Sequence, residues 1–144
     1  MHAAEPSLSV VVACVNAEKT FPSWLAAFEP QARRRSAELL VAAAGDGSWL
    51  RSLQRTYPFE LVTGEAGALV PSLWGLAMPR ARGRIVAVTI SACRPSENWL
   101  DAICDAREWQ MHGVFNCGKG QPVQAAKMMH GAAPARFRKI RVGY

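Results

Sequence analysis

"LSVVVACVNAEKTFPSWLAAF" (residues 8–28) decides the fold class. Its first eight residues are almost wholly apolar and rich in β-branched side chains, the composition of a strand buried on both faces of a parallel sheet. "NAEKT" follows as a loop. Thr20 is then placed to cap a helix over "FPSWLAAF", with Pro22 in its first turn and Phe21, Trp24, Leu25 and Phe28 on one face. Pro30 and the run "RRRS" are expected to end that helix.

The same unit recurs along the chain. "AELLVAAA" (residues 37–44) reads as a second buried strand and "GDGS" as a turn; "SWLRSLQRTY" follows as a short helix turning Trp49, Leu50 and Leu53 inward. "FELVTG" (residues 59–64) is a third strand. "ALVPSLWGLAM" is a helix with Leu69, Val70, Leu73, Trp74, Leu76 and Ala77 as its apolar residues. After the basic turn "RARGR", "RIVAVTI" reads as a fourth strand, and Pro95-Ser96 opens a helix over "SENWLDAICDAREW", whose acids fall mainly in its first half.

Strand and helix alternate four times, which predicts an α/β domain: a Rossmann-like, three-layer fold with a mostly parallel central sheet. Ligands in such sheets sit at the carboxyl ends of the strands. That rule selects residues 14–19, 43–48, 64–68 and 91–95 as the candidate site before any motif is considered. Beyond the fourth unit the pattern weakens. "MHGVFNCGKGQPVQ" reads as a short strand and a glycine-rich turn, and from Lys127 onward no element is assigned. The expected organisation is one domain over residues 1–126 and a basic tail over residues 127–144.

Composition narrows the function classes. The 144 residues suffice for one compact domain. Half are apolar and five are Trp, so a sizeable core is expected and disorder is not. The net charge of +6 lies at one end: residues 1–108 hold eleven Lys/Arg against eleven Asp/Glu, and every charged residue after Glu108 is basic. A neutral body argues against a nucleic-acid-binding protein. The tail "ARFRKIRVGY" could meet an anionic membrane surface or phosphates, although a solvated basic end is the plainer reading. Cys14, Cys93, Cys104 and Cys117 show no metal-binding spacing and fit buried thiols in a reducing compartment. With no signal peptide in "MHAAEPSLS" and no membrane-spanning run, the expectation is a cytoplasmic protein, at most peripheral to a membrane.

Few motifs carry chemistry by themselves. "GKGQP" (residues 118–122) lacks the spacing of a phosphate-binding loop and reads as a turn. No GxSxG occurs, and His2, His112 and His130 have no evident Ser or Asp partners. Cys14 and Cys93 stand at strand ends, where a nucleophile could sit, but buried inert thiols are the plainer reading. Asp46 occupies a strand's carboxyl end, where a carboxylate can accept a hydrogen bond from a base or a ribose.

Taken in order, "LSVVVACVNAEKTFPSWLAAF", "AELLVAAAGDGS", "FELVTG", "GALVPSLWGLAMPRARGRIVAVTI" and "RPSENWL" resemble the nucleotide-sugar-binding half of family 2 glycosyltransferases, the GT-A fold, over about residues 7–105. "ARGRIVAV" followed by a Pro-containing loop and "NWL" is the most specific part. The resemblance implies transfer of a sugar from a nucleotide-diphosphate donor to an acceptor hydroxyl. It places Asn16 and Glu18 of the "N-x-E" against the nucleotide. An aspartate that commonly holds the base corresponds here to Ala43 and Ala44, with Asp46 two or three residues away. The family's Asp-x-Asp, which binds Mg²⁺ or Mn²⁺ against the diphosphate, corresponds to Ile90, Ser91 and Ala92, so both carboxylates are missing and no cofactor is firmly expected. Arg94 is then the one cation in that loop able to offset leaving-group charge. The general base comes from the family's second half, and the residues after the fourth helix contain no Asp or Glu, as if that half were absent or truncated. The expectation is therefore a glycosyltransferase-like domain, inactive or truncated, with Asn16, Glu18, Asp46 and Arg94 as nucleotide-binding residues. The alternative is a non-catalytic partner or regulatory domain, associating with another protein or with itself through an unfinished sheet edge.

Overall fold

The computed structural model describes residues 6–105 and the backbone of residues 139–142. Strand β1 (Leu8–Cys14) is buried at every position. It lies between β2 (Glu38–Ala44) and β4 (Ile85–Ile90), pairing with both in parallel: Val11 stands opposite Leu40 on one side and Val88 on the other. β3 (Glu60–Gly64) adds to β2, and β5 (Lys139–Val142) adds to β4, both again parallel. The order β3-β2-β1-β4-β5 makes a Rossmann-like α/β sheet, as the alternation of units predicts. β5 comes from the stretch that reads as a patternless basic tail, and the glycine-rich segment before it lies outside the described residues.

Helices α1 (Phe21–Arg35) and α3 (Trp99–Asp105) cover one face of the sheet, and α2 (Val70–Ala77) covers the other. The period of two along β1 divides the core between them. Val10, Val12 and Cys14 join the α1/α3 side, while Val11 and Ala13 join Leu73, Trp74 and Ala77. On the α1 side an aromatic column fills the layer. Phe21 and Phe28 stack on Trp24 at centroid distances of 5.5 and 4.8 Å, and Phe59 and Tyr57 meet them edge-on. Burial of each such ring stabilises the fold by about 1.5–3 kcal/mol before the entropy cost of ordering it.

Three local expectations are corrected. Thr20 does not cap α1 with its side chain: its backbone is already helical, and its hydroxyl donates back to the Ala17 carbonyl at 3.5 Å. Pro30 does not end α1. The missing Pro30 amide is outweighed by what the next turn anchors: Ala32 and Gln31 are buried, and Gln31 Nε2 donates to the Ser96 carbonyl at 2.7 Å while its Oε1 accepts from Leu100 N at 3.0 Å. Helix α1 stops instead at Ser36, in the left-handed region with φ 50°, one residue after three arginines suited to the helix's negative end. "SWLRSLQRTY" forms two 3₁₀ turns, Ser48–Leu50 and Leu53–Arg55, in place of a helix. Of its apolar residues Leu50 is fully buried, and Trp49 and Leu53 are half-buried against the same core. On α2, Leu73, Trp74 and Ala77 face inward as expected, whereas Leu76 is 48% exposed and Leu69, which falls one residue before the helix in extended backbone, is 71% exposed.

The basic turn before β4 is a structural clamp at the amino end of the sheet. Arg82 N and Nε donate to the Glu38 carboxylate, each at 2.9 Å. Ser9 Oγ donates to Glu38 Oε2 at 2.5 Å and accepts from Gly83 N at 2.8 Å. The Glu38 side chain is only one-tenth exposed. Burial alone would raise its pKa, but the hydrogen bonds from the Arg82 amide, Ser9 and the Arg82 guanidinium, together with the arginine's charge, hold it below the usual carboxylate value.

Candidate functional site

The chain runs from β1 outward through β2 and β3, then returns to the other side of β1 for β4. The carboxyl ends of β1 and β4 therefore flank the switch point, where a parallel sheet opens a crevice for ligands. One further hydrogen bond, Ser91 N to the Ala13 carbonyl at 3.1 Å, carries this pairing a residue past β4. Cys14 and Ser91 are both buried here, and their side chains are hydrogen-bonded to each other.

Burial pushes the Cys14 thiol up to about 12; the Ser91 hydrogen bond opposes the rise and the negative charge of Glu18 adds to it. Such a thiol stays protonated near neutral pH and is no nucleophile. Cys14 and Cys104 are the cysteines outside a disulfide among the described residues. Cys93 is disulfide-bonded, which corrects the reading of all four cysteines as reduced thiols and removes Cys93 as a candidate nucleophile.

Two of the expected site residues come from the loop after β1. Asn16 is exposed, with φ 49°, a conformation that Asn tolerates better than most residues. That turn lets Ala17 drop into the core, 1% exposed, where its carbonyl accepts from Phe21 N at 2.9 Å and starts α1. Glu18 is exposed beside it. Asn16 thus has a structural task in turning strand into helix, and it is exposed beyond the carboxyl end of β1.

Asp46 is exposed beyond the end of β2, between Gly45 at φ 85° and Gly47 at φ 69°. Gly45 N donates to the Gly64 carbonyl at 3.0 Å, and the Gly47 carbonyl accepts from Leu50 N at 3.0 Å, so both sides of the aspartate are pinned. Ala43, where the resemblance looks for a base-holding aspartate, is fully buried, and Ala44 is half-buried.

Ile90, Ser91 and Ala92 do not fit a divalent cation. Ile90 packs against the α2-side core, Ala92 has no side-chain oxygen, and the Ser91 hydroxyl is engaged with Cys14. Hard cations require several oxygen ligands. Among the described residues no group of three or more His, Cys, Asp or Glu side chains is placed to hold a metal ion. His2, His112 and His130 lie outside the described residues.

Arg94 borders a groove of its own. The loop after β4 folds back along α1, and Arg94 lines a groove of about 580 Å³ with Ala26, Ala27, Pro30, Gln31 and Arg34. Asn16, Glu18 and Asp46 are not part of that lining. A larger cleft, about 780 Å³, opens at the opposite end of the sheet between Tyr57, Phe59, Glu38 and Arg82. Its position at the amino ends of the strands and its internally paired charges, Arg82 with Glu38 and Arg80 with Glu60, make it a poor site for a charged ligand.

Comparison with protein-family models, with curated proteins and with solved structures yields no match. No helix among the described residues is long and apolar enough to cross a membrane.

Proposed function

We propose that this chain is a nucleotide-sugar-binding domain related to family 2 glycosyltransferases, built without the metal site of that family. The observation that supports the reading is positional. The resembling blocks lie in order on one parallel sheet, and the loops bearing Asn16, Asp46 and Ser91 leave the ends of β1, β2 and β4 at the same edge. Asn16 and Asp46 are polar, exposed and held in defined turns at that edge. On this reading they border the nucleoside, Glu18 lies beside them, and Arg94 supplies positive charge to the diphosphate in place of a metal. With no carboxylate at Ile90, Ser91 or Ala92, sugar transfer through a metal-bound diphosphate is not assigned to these residues.

Titration calorimetry with UDP and GDP tests the reading. Binding by the intact chain, weakened about tenfold or more by Asp46→Ala or Arg94→Ala, is the expected result, the size expected for loss of one hydrogen bond to a charged group. Unchanged affinity in both variants would remove these residues from the site.

One observation favours a second reading, a non-catalytic partner domain. Leu69, just before α2, and Leu76, on it, are exposed, and β3, at a sheet edge among the described residues, runs beside that helix: a Cβ at Gly64 would lie 3.3 Å from Leu76 Cδ1. Self-association in size-exclusion chromatography, lost in Leu69→Lys/Leu76→Lys and accompanied by no nucleotide binding, would replace the first reading with this one.

A further inference from the structure

A second arginine beside Arg94 deepens the proposed reading, and its role rests on that reading's claim that Arg94 meets a phosphate-type anion. The groove that Arg94 lines lies between the flank of α1 and the loop that follows β4. The floor is buried Gln31, whose amide is fully used: Nε2 donates to the Ala27 and Ser96 carbonyls at 3.0 and 2.7 Å, and Oε1 accepts from Leu100 N. Those bonds fix the loop against the helix, so the groove has a defined width. Ala26 and Ala27 put small side chains on one part of the helix side of the groove, and Pro30 and Pro95 give it stiff walls.

Two arginines line this groove. Arg94 has no hydrogen-bond or ion-pair partner among the described residues. Arg34 comes one helical turn after Pro30 on the same flank, and its one ion-pair contact is long, 3.9 Å from Nη2 to Asp101 Oδ2. The better geometry of that carboxylate goes to Arg35, at 2.7 Å. Glu97 is the one acidic residue of the lining among the described residues, and Asp101, outside it, is engaged at short range by Arg35. Guanidinium groups donate in a planar fork that matches phosphate oxygens.

We propose that Arg94 and Arg34 together hold one phosphate-type anion in the groove between α1 and the β4–α3 loop. The anion's place is then set by helix α1 as well as by the loop after β4, and Arg34 becomes a binding residue that the sequence alone does not single out.

The test is thermal unfolding of the intact chain with and without pyrophosphate, each variant read against its own ligand-free midpoint so that altered folding stability cancels. Pyrophosphate is expected to raise the midpoint of the native protein. Arg94→Ala and Arg34→Ala should each weaken binding about tenfold or more. Arg33→Ala, on the same helix but outside the groove and paired with Glu29, should keep the native response. A native-like response in Arg34→Ala, or no response in the native protein, overturns the proposal. UDP run in parallel keeps the two readings apart. An unchanged pyrophosphate response in Arg34→Ala overturns the groove site even when UDP still stabilises the protein. A response lost in both groove variants upholds it even when UDP gives none.

Discussion

Gly83 and Ser9 approach so closely that no side chain can stand at position 83. The Gly83 amide donates to Ser9 Oγ at 2.8 Å, and a Cβ on Gly83 would lie 2.6 Å from the backbone nitrogen of Ser9. The neighbour is main chain in the middle of the parallel sheet, so it cannot yield as a flexible side chain would. Gly83→Ala is therefore expected to destabilise the fold by about 1–3 kcal/mol, the range for forced overpacking. Urea unfolding of the two proteins measures it, and a difference under about 0.5 kcal/mol, the scatter of ordinary surface substitutions, would contradict the close approach.

The same clamp predicts an acid-sensitive term in stability. Glu38 has a folded-state pKa below its unfolded value, so its contribution is complete above the unfolded pKa of about 4.3. It fades as pH falls through the lower folded value. Glu38→Gln removes this titration. Unfolding curves should show the native protein losing stability more steeply than Glu38→Gln as pH drops below about 4.3; parallel curves would mean that the carboxylate is not held by Arg82 and Ser9.

Gln31 joins three segments with one buried amide. Replacing it with Ala leaves Leu100 N and the Ser96 carbonyl without their partner at the start of α3. The expected cost is about 1–3 kcal/mol, that of leaving a buried polar group unsatisfied. Hydrogen exchange should show faster exchange at Leu100 specifically, since that amide loses its acceptor. Unchanged protection there would refute the link.

Cys14 should resist alkylation. With its pKa pushed up to about 12, roughly one thiol in ten thousand is ionised at about pH 8, and the ionised form is the nucleophile. Iodoacetamide followed by peptide mass mapping should label Cys104 before Cys14, with Cys14 modified only in denaturant. Early labelling of Cys14 would show that the crevice at the ends of β1 and β4 is open to solvent and that the thiol is not desolvated.

Much of this architecture is legible in the sequence for a simple reason: strands buried on both faces must be continuously apolar. "LSVVVACV", "AELLVAAA" and "RIVAVTI" carry that signature, and each is a central strand. β5 escapes because "KIRV" is four residues long and half basic, a composition that signals a tail unless its neighbour β4 is known. The course of α1 past Pro30 escapes because proline's local cost is overridden by contacts 65 residues away in sequence, those of Gln31 with Ser96. Leu76 fits the apolar pattern of α2 and still faces outward, since eight residues form barely two turns and only one side of them meets the sheet, and Leu69 falls one residue before the helix, in extended backbone.

The candidate site divides along the same line. Asn16, Glu18 and Asp46 follow directly from where strands end, a local property. The placement of Arg94 against α1 depends on how the loop after β4 folds back, which no nearby residue dictates. Gly83 and Glu38 show the converse: the "ARGR" run that reads as a family signature has a structural cause in the clamp with Ser9.

The central claim is that a nucleotide pocket persists here without a metal site. Thermal unfolding against UDP, GDP and UDP-glucose, each with and without Mn²⁺, tests it most directly, because a ligand that binds only the folded state raises the midpoint with its saturation. The account predicts a rise that is the same with and without Mn²⁺. A rise that requires Mn²⁺, or no rise with any of the three ligands, would contradict it.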